Sequence, residues 1–364
     1  MHDIRIMKPF YPVLLLLLLP MGCAKKQSHS VHEVSISPVN SRAGTDARRL
    51  LAYLAALPAG DSNRVISGQN CCHGNEIMRC YEAHVAALYE ATGHWPGMIG
   101  VDYEYTRRFS PEQLSECNCY LIDYWEAGGL VTINWAPHNP WTDGGTRDLN
   151  SVNMRELSDP RSAIFPKWRR ELDRIAGGLQ ELRDGGVVVL WRPMQEMNGN
   201  WFWWGLSGHP DEGAPFQEVY RDMFRYFSEE KGLDNLLWVY STVSFVDSAY
   251  TRPVDFYYPG DEYVDIIGTN VYESDDFAIR DIGAYRRFGK PLALTECGPH
   301  HNRMDGSFDN TLVIRAIREK YPEIVYWSTW HDWPEHYVAM ASNRNAAELL
   351  SDPWVLNRGE LDWR

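Results

Sequence analysis

The feature of this sequence that most constrains its fold is the alternation of eight short apolar segments with stretches of helical length. Such apolar segments are typical of strands buried on both faces, and their alternation with helices favours a parallel sheet of repeated βα units. Eight units are what a closed (β/α)8 barrel requires. The predicted strands are RVISGQN (64–70), PGMIGVDYE (96–104), LVTINWAP (130–137), VVVLWRPMQE (187–196), LLWVYST (236–242), VDIIGTNVY (264–272), PLALTEC (291–297) and IVYWSTW (324–330).

The segments between the predicted strands have the apolar periodicity of helices, and several end at glycine, as helices often do. An open, doubly wound sheet would alternate in the same way, but it usually carries a glycine-rich phosphate-binding turn after its first strand. SGQNCCHGNE (67–76) is not such a turn. The sequence therefore predicts one α/β domain over residues 45–364, a (β/α)8 TIM barrel.

The N-terminal segment differs from the rest of the chain. Arg5 and Lys8 precede the apolar run PVLLLLLLP (12–20), which is too short to cross a bilayer. This order is typical of a secretion signal. Export to the cell envelope or the medium is therefore expected.

Residues 1–23 end in a pattern that resembles a bacterial lipoprotein signal, with Gly22 before Cys23. It predicts that the chain contacts a membrane only through a lipid on Cys23; cleavage without lipidation is the alternative. Residues 24–44, rich in Ser, Lys and His, are predicted to form a flexible tether.

Charge limits the choice of partner. The net charge is −14 and the sequence pI is about 5.3, which argues against nucleic acid, because such a ligand needs a basic surface. A neutral polar substrate and a monomeric chain are expected. The six cysteines after Cys23 permit disulfides in an exported protein without indicating the pairing. CCHGNEIMRC (71–80) lacks the usual paired spacing of a zinc site, so no metal is expected.

Polar residues are concentrated at the ends of the predicted strands, where a barrel builds its active site. Glu196 ends the fourth predicted strand and Glu296 ends the seventh, so the closed barrel would place them across its mouth. Two opposed carboxylates are the apparatus of glycoside hydrolysis, and the retaining reaction needs them about 5–5.5 Å apart. The alternative for each glutamate is a structural role, capping a helix or pairing with an arginine.

The surroundings of the two glutamates suggest their roles. Arg192 and Tyr272, also at strand ends, would hold Glu296 as an anion, which suits a nucleophile. The aromatic loop after Glu196 would desolvate it and raise its pKa, which suits a general acid.

Aromatic side chains near the strand ends are candidate platforms for sugar rings. Trp201, Trp203 and Trp204 cannot all face a ligand, and Trp201 is the expected contact. Trp330, at the end of the eighth predicted strand, would form a floor for a sugar ring. His138 is a further candidate for binding a sugar hydroxyl, although a plain loop residue is the simpler interpretation.

RPMQEMNGNWFWWG (192–205) is similar to the acid/base segment of glycoside hydrolase family 26, which reads much like RPxHExNGxWFWWG. KPLALTECG (290–298) resembles the nucleophile segment of that family, and Tyr272 in DIIGTNVY matches its strand-six tyrosine. The resemblance extends over residues 45–364. It implies a retaining (β/α)8 glycosidase that requires no cofactor, with Glu196 as acid/base and Glu296 as nucleophile, and it implies endo-β-1,4-mannanase activity.

Two residues depart from the family pattern. Gln195 and Ala136 stand where the family usually has histidines, before the acid/base residue and in the segment GGLVTINWAPHNP (128–140). The Gln195 amide can still bind a sugar hydroxyl, so the departures bear on specificity more than on activity. The leading hypothesis is cleavage of β-1,4-mannosidic bonds in mannan, glucomannan or galactomannan. The alternatives are β-1,3-xylan or mixed-linkage β-glucan as the substrate, and a glycan-binding lipoprotein that does not cut.

Overall fold

The computed structural model describes residues 36–59, 64–105, 107–206, 212–244 and 247–364. The predicted signal segment, Cys23 and residues 24–35 of the predicted tether lie outside these ranges. The strands are β1 (Val65–Ile66), β2 (Gly68–His73), β3 (Met98–Asp102), β4 (Leu130–Trp135), β5 (Val189–Pro193), β6 (Leu236–Val243), β7 (Ile266–Tyr272), β8 (Leu292–Gly298), β9 (Ile324–Thr329) and β10 (Val355–Leu356).

Strands β2 to β9 form a closed parallel barrel. Each pairs with the next along the chain, and β9 pairs with both β8 and β2, which closes the circle. The short β1 pairs in parallel with β10 and β9 at one end of the barrel. These strands are buried along nearly their whole length because neighbouring elements cover both faces. The predicted (β/α)8 barrel is confirmed.

The helices lie between the strands, as the sequence pattern predicts. They are α1 (Thr45–Ala56), α2 (Ile77–Tyr81), α3 (Ala87–Thr92), α4 (Pro111–Glu126), α5 (Arg155–Ser158), α6 (Phe165–Asp184), α7 (Ala214–Arg225), α8 (Ile282–Arg286), α9 (Thr311–Lys320) and α10 (Ala346–Leu350). Local chemistry explains where α4 begins: Ser110 caps it, Gln113 returns the bond to the Ser110 backbone, and Pro111 occupies the first turn.

Tryptophans fill much of the space between the barrel and its helices. Trp168 of α6 is fully buried and stacks on Trp135 of β4, and Trp191 of β5 also stacks on Trp135. Trp238 is fully buried as well. Part of the tryptophan excess of the sequence is therefore core packing rather than ligand contact.

Residues 36–44, the last part of the predicted tether, form hydrogen bonds with the barrel domain. The backbone N–H of Val39 donates to the buried Asp265 carboxylate at 2.8 Å, and the amide of Asn40, which is also buried, donates to the Leu233 carbonyl. The sequence placed this stretch in a flexible tether because its composition is polar and shows no periodicity. Its contacts are made with residues distant in sequence, which composition does not reveal.

The six cysteines of the described ranges are free thiols: Cys71, Cys72, Cys80, Cys117 and Cys297 are buried, and Cys119 is exposed. Within the same ranges no helix is long and apolar enough to span a bilayer. No group of three or more His, Cys, Asp or Glu side chains among the described residues is arranged to hold a metal ion.

Candidate active site

Glu196 and Glu296 meet at the mouth of the barrel. Nδ2 of Asn270 donates to Oε1 of Glu196 at 2.9 Å and to Oε2 of Glu296 at 3.0 Å. Because one nitrogen bonds both oxygens, these oxygens are at most about 6 Å apart, close to the ~5–5.5 Å of retaining glycosidases and below the ~6.5–9.5 Å of inverting ones. The barrel thus brings together two carboxyls that are far apart in sequence.

The orientation of the Asn270 amide is fixed by its oxygen. Oδ1 accepts hydrogen bonds from Arg192 at 3.2 Å, from the Ser241 hydroxyl at 3.1 Å and from the Thr295 hydroxyl at 3.0 Å. Arginine can only donate, so the amide oxygen must face it and the amide nitrogen must face the glutamates. Sequence reasoning missed Asn270, although its place in GTNVY, at the end of a strand and two residues before Tyr272, was a usable signal.

Glu296 is buried and surrounded by donors. Nη1 and Nη2 of Arg192 each lie 3.2 Å from its Oε2, and the Tyr272 hydroxyl donates to its Oε1 at 2.5 Å. Burial and the charge of Glu296 raise the pKa of Tyr272 well above its usual value, so this hydroxyl stays protonated and remains a donor. The structure therefore places both predicted partners on Glu296.

Glu196 lies in a backbone turn just beyond β5. Its φ is +55° and that of Met194 is +50°, both in the left-handed region that non-glycine residues seldom adopt. Backbone bonds hold the turn, since Met194 N–H donates to Trp135 and Glu196 N–H donates to Ser241, each at 2.8 Å. Strain of this kind is typical of sites where a side chain must be aimed.

The aromatic loop after Glu196 is held by indole hydrogen bonds. Nε1 of Trp201 donates to Oε2 of Glu196 at 2.7 Å, that of Trp203 to the Pro137 carbonyl at 2.7 Å, and that of Trp204 to the Gln195 carbonyl at 2.9 Å. Trp203 and Trp204 are fully buried, whereas Trp201 is partly exposed. Trp203 and Trp204 thus pack in the interior below the loop, and Trp201 is directed toward Glu196.

The two carboxyls are strongly coupled. Burial raises the pKa of Glu296, and the negative charge of Glu196 raises it further, to about 8, against the opposing effects of Arg192 and Tyr272. A pKa of this kind belongs to the pair, which therefore keeps one proton at neutral pH. The sequence argument expected the aromatic loop to desolvate Glu196; in the structure Glu296 is the more deeply buried of the two carboxyls.

Hydrogen bonds indicate which carboxyl holds that proton. Glu296 accepts four bonds, two from Arg192 and one each from Asn270 and Tyr272, and all of them stabilise its ionised form. Among the described residues, Glu196 accepts bonds from Asn270 and Trp201 alone. The proton is therefore better placed on Glu196, with Glu296 as the anion.

A cavity of about 690 Å³ opens above the two glutamates. Trp330 lines it, and the guanidinium of Arg192 lies 5.8 Å from its ring centre. Gln195 lines it too, and its buried Oε1 has no hydrogen-bond partner within the described ranges. The lining residues are His73, Tyr105, Arg147, Gln195, Glu196, Trp201, Phe202, Val243, Tyr272, Glu296, His301, Met304, Trp330, His331 and Trp333.

His138 is not among these lining residues. Burial lowers its pKa and the nearby charge of Arg108 lowers it further, while Glu171 acts in the opposite direction. His138 thus lies near charged side chains, and its role as a substrate contact stays a prediction. Ala136 is fully buried and offers no side-chain donor.

Several lining residues were not among the predicted site residues. Tyr105, Arg147 and Phe202 come from loops whose course only the fold defines, and Arg147 lies over the Phe202 ring at 5.2 Å. His73 and His331, at the ends of β2 and β9, face the same cavity. Burial holds the pKa of His331 well below its usual value, so His331 is a neutral imidazole.

Comparison with known proteins gives a consistent result. The model of "Glycosyl hydrolase family 26" matches residues 39–360. Mannan endo-1,4-beta-mannosidase A and B of Caldalkalibacillus mannanilyticus is 37% identical over 338 residues, which cover 89% of this chain and 63% of that protein. Mannan endo-1,4-beta-mannosidase of Bacillus subtilis is 36% identical over 357 residues, 95% of this chain and 94% of that protein.

Comparison with solved structures indicates the same family as comparison with sequence relatives. The structure of Bacillus subtilis mannanase man26 superposes with a TM-score of 0.79 at 33% sequence identity, and the match covers 90% of this chain and 96% of that one. The family resemblance seen in the two glutamate segments is confirmed. This chain belongs to glycosyl hydrolase family 26.

Proposed function

We propose that this protein is a retaining endo-β-1,4-mannanase. The observation that carries the proposal is the Asn270 amide shared by Glu196 and Glu296, because it keeps the two carboxyls at the separation of a retaining pair. The named sequence relatives are mannan endo-1,4-β-mannosidases, and the identity extends over most of this chain.

The proposed reaction has two steps. The ionised Glu296 attacks the anomeric carbon and forms a glycosyl ester, while Glu196 gives its proton to the departing glycosidic oxygen. Glu196, now ionised, then takes a proton from a water molecule that attacks the same carbon and releases Glu296. Both carboxyls return to their starting state, and the anomeric configuration is retained.

The proposed role of Arg192 and Tyr272 is to keep Glu296 ionised and aimed. Their donors are in place before substrate binds, so little reorganisation is needed when the charge on Glu296 is redistributed. Trp201, Trp330 and Gln195 are proposed to hold the sugar, the tryptophans by contact with the ring and Gln195 through its unpartnered Oε1.

One observation favours a second candidate substrate. Gln195 and Ala136 stand at positions where the sequence motifs lead us to expect histidines, and Gln195 lies directly before the acid/base residue. A change there bears on recognition of the sugar 2-hydroxyl, which is axial in mannose and equatorial in glucose and xylose. The same machinery acting on mixed-linkage β-glucan or β-1,3-xylan is the alternative.

A substrate panel tests the proposal. The purified protein is incubated with mannan, glucomannan, galactomannan, β-1,3-xylan and mixed-linkage β-glucan, and the products are separated by size. Release of a ladder of β-1,4-manno-oligosaccharides, initially in the β-anomeric form, is expected. Cleavage of xylan or β-glucan alone would replace mannan as the substrate, and binding of mannan without cleavage would leave only a glycan-binding protein.

We also propose that the protein is exported and held at the cell envelope by a lipid on Cys23, with the barrel acting as a monomer. The apolar run 12–20 and Gly22 before Cys23 support the proposal. Mass spectrometry of the mature N-terminus tests it. A lipidated Cys23 is expected, whereas an unmodified N-terminus produced by ordinary signal cleavage would contradict the anchor.

A further inference from the structure

A histidine and an aspartate form an isolated pair in the wall of the active-site cavity. His73 ends β2, and Asp102, its neighbour in register, ends β3. Nδ1 of His73 lies 3.4 Å from Oδ2 of Asp102, an ion-pair distance somewhat longer than a good hydrogen bond. Asp102 is fully buried, and in the described part of the chain neither of its oxygens nor Nδ1 of His73 has a hydrogen-bond partner.

Because neither side chain has another hydrogen-bond partner among the described residues, His73 and Asp102 depend on each other. A buried carboxylate without a donor is costly, and the His73 imidazole is a possible donor at 3.4 Å from Asp102. The small gap can close when a ligand fills the cavity, as hydrogen bonds of unliganded sites commonly do. The tautomer with the proton on Nδ1 satisfies both groups, and it leaves Nε2 as an acceptor.

The plane of the His73 ring is fixed by its neighbours. Tyr105 stacks on one face with ring centres 5.1 Å apart and 10° between the planes, and His331 meets the ring edge at 5.1 Å and 82°. The His331 ring is held in turn, since its Nδ1 lies 2.8 Å from Oδ1 of Asn70. The imidazole therefore has little freedom to rotate away from the cavity.

We propose that His73 is a substrate-binding residue whose Nε2 accepts a hydrogen bond from a hydroxyl of the bound β-glycan, and that Asp102 positions it by fixing its tautomer. The proposal rests on the function proposed above. His73 lines the cavity and its side chain is 15% exposed there, whereas Asp102 is not among the lining residues. Asp102 accordingly acts through His73 rather than on the sugar.

A structural histidine would behave differently. If the His73–Asp102 contact served only the fold, the loss of either side chain would lower stability and leave the kinetic constants of the folded enzyme unchanged. If His73 binds sugar in the ground state and in the transition state alike, its loss raises KM and leaves kcat almost unchanged. A higher KM at nearly constant kcat therefore indicates sugar binding, whereas unchanged kcat and KM indicate a purely structural role.

The experiment measures hydrolysis of β-1,4-mannohexaose by the full chain. His73→Ala is expected to lower kcat/KM by about 10-fold, mostly through KM, and His73→Gln, which keeps an amide near the place of Nε2, is expected to recover part of the loss. His94→Ala is the matched control, because His94 precedes β3 at the opposite end of that strand. Values within twofold of wild type for His73→Ala would overturn the proposal.

A double-mutant cycle tests the coupling to Asp102. Asp102→Asn alone is expected to lower kcat/KM by about 5-fold and to cause no further loss in a His73→Ala background, since the aspartate acts through the missing imidazole. Equal losses in both backgrounds would show that Asp102 does not act through His73.

If Asp102→Asn does not fold, NMR of a protein in which His73 and Asp102 are both unchanged tests the proposal. In ¹⁵N-histidine-labelled Glu296→Gln protein, the His73 signals, identified by their loss in His73→Gln, should show the Nδ1–H tautomer and a shift of Nε2 on titration with mannohexaose. An Nε2–H tautomer would overturn the proposal. Failure of the wild type to cleave any mannan, with the Nε2 shift still present, would reject the proposed function and leave the binding inference standing.

Discussion

Both terminal nitrogens of Arg192 lie 3.2 Å from the same carboxylate oxygen of Glu296. The two side chains are almost fully buried, on strands β5 and β8, and their sequence separation is 104 residues. The pair sets the charge state of the site, because the positive charge of Arg192 lowers the pKa of Glu296 against the effects of burial and of Glu196.

Replacing Arg192 by Met should reduce kcat/KM by at least about 100-fold, because the variant leaves Glu296 buried without its cation. Without this cation the pair should lose its first proton, which leaves Glu296 ionised, only at higher pH, so the acidic limb of the pH profile should move to higher pH. Steady-state kinetics between pH 4 and pH 10 measure both effects. Arg169→Met, which breaks the Arg169–Asp222 ion pair outside the cavity, is the control and should leave the profile in place.

The wild-type pH profile should have a basic limb near pH 8. At neutral pH the pair holds one proton, and it loses this proton as pH rises through the pKa of about 8. The acid that protonates the leaving group is therefore lost above this value. In Glu196→Gln the limb should disappear on an aryl mannoside with a good leaving group, because no shared proton remains. A basic limb unchanged by the substitution would show that another group titrates there.

Replacing Glu196 by Ala should affect substrates unequally. Natural mannan needs protonation of its glycosidic oxygen and should lose about 10³-fold or more in kcat/KM, whereas an aryl mannoside with an acidic leaving group should lose much less. Glu296→Ala should abolish turnover of both substrates and leave mannohexaose binding by calorimetry nearly intact. Equal losses on both substrates for Glu196→Ala would contradict its role as the acid.

Gly199 leaves the space in which the Trp201 ring lies. A Cβ added at Gly199 would lie 2.4 Å from Cη2 of Trp201, so Gly199→Ala must displace the indole from its bond to Glu196. We expect kcat/KM to fall by about 10-fold and tryptophan fluorescence to change, with little effect on thermal unfolding.

Gly177→Ala provides the matched control for this substitution. An added Cβ at Gly177, within α6, meets no atom within 4 Å, so activity should stay unchanged while the helix gains roughly 0.5–1 kcal/mol. Full activity of Gly199→Ala would show that the position of Trp201 is not required for catalysis.

The sequence determined the barrel and its two carboxyls. The number and spacing of the apolar segments predict a parallel barrel of eight strands. Glu196 and Glu296 stand out because a carboxylate at the end of a buried strand has few structural explanations. Trp201, Gln195, Tyr272 and Trp330 follow from the same rule, since the carboxyl ends of parallel strands share one rim. His138 also follows a strand end, yet it is not a lining residue of the cavity, because the rule predicts a position on the rim and not the direction of a side chain.

Tertiary structure decided what depends on contacts between distant segments. The local sequence does not reveal the partners of Asn270, whose amide lies between two glutamates only in the closed barrel. His73 and Asp102 are neighbours only because of the register between β2 and β3. Residues 36–44 have the composition of a tether, yet Asp265 and Leu233 bind them. The physical reason is the same in all three cases. The local pattern of apolar and polar residues indicates the type of an element and which of its faces is buried. Hydrogen-bond partners and pKa values depend instead on the other segments that the fold places within a few ångströms.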